Sequence, residues 1–214
     1  MKSRKPAHER ILQAAFDLIS DKGYAAVSTR EIAVRAGVAE VTIFRRFTSK
    51  ENLFRQTAQQ YSTIPILEKL IPVVLDKPLN EGIALLVHAY LNRLADNKAW
   101  IRIFQQELQR DPDTFQPLFR SFLDELYRVC GSYFSEIARR GSRLFCEPHE
   151  AARVFVMLCY GCFQVEDMQL GNSCSSTENQ PLVEAMIYMI CRGVADPHET
   201  SNRNFCEKGG DGSF

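Results

Sequence analysis

Residues 28–50 read STREIAVRAGVAEVTIFRRFTSK, and this stretch decides how the rest of the chain is understood. It has the pattern of two short helices around a tight turn at Ala36-Gly37-Val38. Ser28 followed three residues on by Glu31 is a capping box, in which each side chain satisfies a free backbone N–H of the other. Gly37 supplies the backbone freedom the turn needs. On a helix from Glu40 to Phe47 each residue advances by about 100°. Ile43, Phe44 and Phe47 then share an inner face that packs on Ile32, Ala33 and the first helix. Val41, Thr42 and Arg45 face away, with Arg46 at the edge. Two adjacent arginines alone are usually a solvated edge. An outward Val beside Thr and Arg suits a DNA groove better: Val41 can meet a thymine methyl, Thr42 a phosphate or base, and Arg45 a guanine edge. A compact helix pair with a cationic second member has the shape of a major-groove reader.

Working outward, almost every long segment carries helical periodicity and almost none alternates with period two, so the fold class is all-α. Ala7 to Lys22 places Ile11, Leu12, Ala15, Phe16 and Ile19 on one stripe, and Gly23 stops it. Thr48 with Glu51 repeats the capping device ahead of a helix expected from Ser49 to about Ile64, where Pro65 ends or bends it. Pro72 and Pro78 mark loops. Further helices are expected at about 80–95, 99–109, 113–140, 148–170 and 181–195, with a polar loop from Asn172 to Gln180. The domain reading is a helix-turn-helix head over 1–60, an all-helical body over 61–196, and a polar, glycine-rich tail over 197–214 that reads as disordered.

The formal net charge is zero, but it is unevenly spread: residues 1–60 hold 11 Lys/Arg against 6 Asp/Glu. A basic head on an acidic body binds phosphates at one end only. No apolar run reaches the roughly 20 residues of a membrane span, and no secretory leader precedes the first amphipathic segment, so an intracellular protein is expected. Seven cysteines at irregular spacing fit buried thiols in a reducing compartment. Cys159-x-x-Cys162 has no second Cys/His pair at metal-ligand spacing, and core packing is the better reading. The four histidines (His8, His88, His149 and His198) sit in no zinc motif or triad order, and no phosphate loop is present, so neither an enzyme nor a cofactor is expected.

The run from Ala7 to Phe54 resembles the N-terminal domain of the TetR/AcrR family of bacterial transcriptional regulators. The resemblance is carried by Ile11–Phe16, Gly23, T-R-E-I-A at Thr29–Ala33, A-G-V at Ala36–Val38, T-I-F at Thr42–Phe44, Phe47, and S-K-E-N-L at Ser49–Leu53. It implies that the third helix is the recognition helix and that Thr29, Arg30, Thr42, Phe44, Arg45, Arg46 and Lys50 contact DNA, beside the Val41 already read from the outward face. Lys50 has a rationale of its own, since a helix N-terminus already favours a phosphate. Two positions depart from the family pattern. Phe44 replaces a usual Tyr and loses a hydroxyl, and Ala39 replaces a usual capping residue. Glu40 beside it is expected to compensate through the helix dipole rather than to read a cytosine.

The same resemblance implies a homodimer on a palindromic operator, a seam built from the last two long helices, and an unknown small-molecule effector that releases a repressor from DNA. An activator or architectural protein of the same fold without an effector is the alternative. Seam candidates are Val154, Leu158, Cys162 and Val165 with Gly161, and Ala185, Met189 and the Val183-Ile187-Ile190 line. Effector candidates are His88, Tyr90, Trp100, Phe104, Phe119, Phe122 and Phe163, with Phe115 and Tyr127 beside them and Glu107 as a polar partner of His88. Aromatics at helical spacing are more often plain core.

Overall fold

A computed structural model describes residues 5–194 apart from 145 and 175. The expected tail lies outside the described residues. All regular elements among them are helical: α1 (Ala7–Lys22), α2 (Thr29–Ala36), α3 (Glu40–Phe47), α4 (Lys50–Tyr61), α5 (Ile64–Val74), α6 (Leu79–Asp96), α7 (Lys98–Arg110), α8 (Pro112–Arg139), α9 (Pro148–Phe163) and α10 (Gln180–Val194). α9 runs on into a π-helical segment, Gln164–Leu170. No helix of the described residues is long and apolar enough to cross a membrane.

Several boundaries differ from the sequence expectation, each for a local reason. α4 stops at Tyr61, before Pro65, because Ser62 leaves the helical region with ψ at −175°. Pro65 instead opens α5, where a missing N–H costs nothing. Pro72 lies inside α5 rather than in a loop. The cap of α4 is Ser49, whose side chain accepts from Asn52 N at 3.1 Å, and not a Thr48–Glu51 box. Thr48 is spent elsewhere: with φ 67° and ψ −46° it centres a γ-turn closed by Ser49 N to Phe47 O at 2.7 Å. The span 148–170 is not one regular α-helix. The π segment replaces its last turns, and Asp167 within it is buried against Lys98 Nζ at 2.7 Å.

The chain packs around two apolar cores. The first is built from Ile11, Ala15 and Ile19 of α1, Ile32 and Ala33 of α2, Ile43 and Phe47 of α3, and Leu53 and Phe54 of α4. Trp100, Ile103 and Phe115, from α7 and α8, complete it. The second joins α5, α6, α8, α9 and α10 through residues such as Leu67, Val87, Tyr133, Phe134 and Phe155. Burying each such side chain contributes about 1.5–3 kcal/mol against the chain entropy lost on folding. Cys159 belongs to the second core, as its apolar setting predicts. Cys162 faces Cys174 instead, with 3.4 Å between the sulfurs.

Candidate DNA interface and the cavity behind it

The geometry of the first core positions one face of α3 outward. The capping box at the start of α2 is formed on both sides, Ser28 N to Glu31 Oε2 at 2.9 Å and Glu31 N to Ser28 Oγ at 3.1 Å. The bond from Ser28 N, with Lys22 Nζ at 3.2 Å and Ser28 Oγ at 3.1 Å, holds the Glu31 carboxyl below the usual glutamate range. α2 ends in a Schellman turn: Gly37 is left-handed at φ 64°, Gly37 N reaches Val34 O at 3.1 Å, and Val38 N reaches Ala33 O at 3.0 Å. Arg10 of α1 locks this turn from behind, its Nε donating to Ala36 O at 3.0 Å. Sequence reasoning missed Arg10, because its partners are backbone atoms 26 residues away.

Ile43 and Phe47 are fully buried, while Val41 is 71% and Phe44 47% exposed. Phe44 is therefore not an inner packing residue. It stands about 60° round the helix from Phe47, at the rim of α3, and with Val41 and Arg45 it forms an i, i+3, i+4 set on the outer face. Arg30, Arg45 and Arg46 are exposed, and Thr42 is half-buried.

Three other positions are more committed. Thr29 Oγ1 donates to Glu40 Oε1 at 2.6 Å, which ties the first turn of α2 to the first turn of α3. Ala39 gives α3 no side-chain cap, and Glu40 sits in the first turn where its charge suits the helix dipole. Lys50 Nζ donates to Tyr24 O at 2.7 Å and lies 4.2 Å from the centre of the Tyr24 ring. Burial lowers the pKa of this ammonium. Tyr24 itself is buried edge-on against Phe54 and Phe115, and its hydroxyl donates to Glu51 Oε1 at 3.2 Å. Burial first, then Glu51, raises the Tyr24 pKa.

Behind the head lies a cavity of about 410 Å3 between α4, α6, α7, α8 and α9. Of the residues named from sequence, Tyr90, Trp100, Phe104, Phe119, Phe122 and Tyr127 line it. His88 and Phe163 do not. His88 is exposed on α6, about 200° round the helix from Tyr90, and Phe163 is sealed in the second core. Phe115 belongs to the first core, and Glu107 is buried beside Arg110 at 3.4 Å, so neither joins His88 in a polar cluster. Polar wall residues that the sequence reading passed over include Tyr61, Arg93, Asn97 and Gln105. Gln105 Nε2 donates to Tyr160 Oη at 2.7 Å, linking α7 to α9 across the wall.

The wall and the head share residues. Trp100 stacks on Phe16 with centroids 5.3 Å apart, Tyr61 stacks on Phe16 at 4.2 Å, and Tyr61 Oη donates to Gln13 Oε1 at 2.8 Å. On the far side of the body, Val154, Val165 and Met189 are 46–63% exposed. Val183 and Ile190, placed at a subunit seam by the sequence reading, are buried in the second core instead.

A buried three-helix scaffold with an exposed, cationic third helix defines a helix-turn-helix DNA-binding protein. Residues 11–57 match the model of the family described as "Bacterial regulatory proteins, tetR family". The chain is 28% identical over 196 residues to the uncharacterized HTH-type transcriptional regulator YvkB of Bacillus subtilis (strain 168), covering 89% of this chain and 98% of that one. Two crystal structures share the fold. One, from Mesorhizobium loti MAFF303099 and put forward as a TetR-family transcriptional regulator, superposes with TM-score 0.72 at 21% identity, over 89% of this chain and 97% of that one. The other, the transcriptional regulator FadR of Bacillus subtilis in complex with stearoyl-CoA, gives 0.66 at 18% identity, over 87% and 98%. Residues 11–57 thus form a DNA-binding domain of the TetR type, and the chain along most of its length is similar to a bacterial transcriptional regulator.

Proposed function

We propose that the protein is a dimeric repressor that a small molecule entering the cavity releases from a palindromic operator. The observation that carries this is the shared wall. Trp100 lines the cavity and also stacks on Phe54, in the core on which α3 rests. A ligand that prefers one position of α7 therefore changes the free energy of one position of the head. An effector acts only through such a difference between states. A coupling of about 1–3 kcal/mol changes operator affinity roughly 5- to 150-fold.

In this reading residues 1–60 form the DNA-binding domain and 61–196 the effector-binding and dimerisation domain. Arg45 and Thr42 read base edges, Val41 and Phe44 meet thymine methyls, and Thr29, Arg30, Arg46 and Lys50 hold phosphates. Thr29 and Lys50 leave their present partners, Glu40 and Tyr24 O, to do so. The seam uses the exposed Val154, Val165, Ala185 and Met189 of α9, the π segment and α10. Two copies place their recognition helices about 34–36 Å apart, one turn of B-DNA. The effector is of acyl type, a reading supported by the stearoyl-CoA bound to the FadR neighbour and by the apolar cavity.

Selection of bound sites from random DNA tests the reading: a two-fold symmetric motif with half-sites about one helical turn apart is expected. A monomer in solution, or an asymmetric motif, refutes the dimer. Unaltered operator affinity across a screen of acyl ligands refutes effector release.

A further inference from the structure

The cavity wall is mostly apolar, and one of its polar corners lies where α6 ends and α7 begins. Tyr90, Arg93, Leu94 and Asn97 stand at i, i+3, i+4 and i+7 on one face of α6, and all four line the cavity. Arg93 is half-buried there and its Nε donates to Ser62 O at 3.0 Å. No carboxylate of the described residues forms an ion pair with it. A basic residue in the last turn of α6 also suits that helix dipole, but this role requires neither a cavity nor an aromatic wall.

Two further features of the corner are donors. Asn97 precedes α7 without a side-chain cap bond, so the first N–H groups of α7 have no partner within the helix. Such an end favours a negative charge. Trp100, only 5% exposed and part of the wall, has an Nε1–H with no hydrogen-bond partner. A guanidinium with no carboxylate partner among the described residues, an unsatisfied indole N–H and a helix start without a side-chain cap thus belong to residues that line one end of a mostly apolar chamber. A carboxylate satisfies all three, because it accepts several bonds and pairs with Arg in the fork geometry.

We infer that the effector is an acidic amphiphile, its carboxylate held at the α6–α7 corner by Arg93 and Trp100 and its hydrocarbon chain laid along Phe104, Phe119 and Phe122. This rests on the reading of the cavity as the effector site. It also names the lever. The same guanidinium that receives the anion holds Ser62 O, at the break that ends α4. Drawing Arg93 toward the ligand moves its grip on the helix that carries the head.

The test uses the full chain and its single tryptophan, Trp100, as the reporter. Dodecanoate, dodecanol and dodecanoyl-CoA are titrated below their micellar concentrations while Trp100 fluorescence is followed. Dodecanoate is expected to bind at least tenfold tighter than dodecanol. Arg93→Met should remove that preference and leave dodecanol binding unchanged, while Arg93→Lys keeps part of it. Asn97→Asp, which gives up the Asn97 Nδ2 bond to Arg93 O and adds a competing carboxylate beside Arg93, should weaken dodecanoate far more than dodecanol. Equal binding of acid and alcohol to the parent chain overturns the carboxylate assignment and leaves the cavity as the effector site. Tighter binding of the thioester, indifferent to Arg93→Met, overturns it in favour of a neutral acyl group. If none of the three probes perturbs Trp100, the cavity reading fails and this inference with it.

Discussion

Trp100 of α7 stacks on Phe54 of α4 with ring centroids 4.8 Å apart and planes 23° from parallel. The residue that walls the cavity thus rests on the residue that fills the DNA-binding head. Both are buried, and Phe54 also meets Tyr24, Phe104 and Phe115. Removing Phe54 empties a site with neighbours on every side. Phe54→Ala is expected to destabilise the chain by about 3–5 kcal/mol in urea unfolding. A cost under about 1 kcal/mol would mean that the head core collapses around the gap and does not need the stack.

Arg45 and Lys50 should separate in DNA binding. On the proposed role of Arg45 as a base reader on the exposed face of α3, Arg45→Ala should lower discrimination at one operator position by about 1–3 kcal/mol. On the proposed role of Lys50 as a phosphate holder, Lys50→Ala should weaken all sequences alike and shrink the slope of log affinity against log salt by about one. Binding to a defined operator across a salt series measures both. Parental behaviour of the two variants would remove α3 and the start of α4 from the interface.

Thr48 occupies a positive φ, 67°, that a β-branched residue rarely adopts. Strain of this kind costs about 1–3 kcal/mol. Thr48→Gly should therefore raise stability by about 1 kcal/mol, net of the greater freedom glycine gains in the unfolded chain. Chemical denaturation reads the change; a loss of stability would show that the Thr48 side chain holds the γ-turn.

The capping box gives the head an acid-sensitive hinge. The folded-state pKa of Glu31 lies below its ordinary value, first through the bond from Ser28 N and then through Lys22. Its contribution is therefore present above the normal glutamate range, about 4.3, and is lost as pH falls through the lower folded-state value. The Ser28 amide signal should move through that window in an NMR titration. Glu31→Gln should abolish the movement. A Ser28 amide that stays fixed while the rest of α2 titrates would rule out the bond.

Met189 is 63% exposed on α10 and Val165 52% exposed on the π segment. Placing a charge at either, as in Met189→Arg or Val165→Asp, should give a monomer by sedimentation and lower operator affinity, with the fold unchanged by circular dichroism. Dimers that persist in both variants would put the seam elsewhere.

Much of the head was legible because its signals are local. The Ser28–Glu31 box and the Gly37 turn depend on residues no more than five apart, and both form as their spacing predicts. Phe44 departs from the inner face for a physical reason: a helical wheel gives an angle but not the reach of the neighbouring helix, and at the rim of α3 about half of the side chain stays exposed. The break after Tyr61 was obscured because Pro65 resembles a stop signal and is in fact the start of the next helix. In the body, aromatic type could not separate Trp100, in the wall, from Phe163, in the core. His88 attracted attention as chemistry but points to solvent, whereas Arg93, an ordinary helix-end cation by pattern, faces the cavity.

By itself the order of residues determined the helical class, the turn, the caps and the cationic edge of α3, since each arises from hydrogen bonds and periodicity within one or two helical turns. Only tertiary packing decided that Trp100, Ile103 and Phe115 complete the head core, that Arg10 clamps the turn from another helix, and that a donor-rich corner opens beside an apolar chamber. Those outcomes depend on which surfaces meet across 26 to 91 residues of chain, from Arg10–Ala36 to Tyr24–Phe115, and contacts at that separation leave no period or spacing to read.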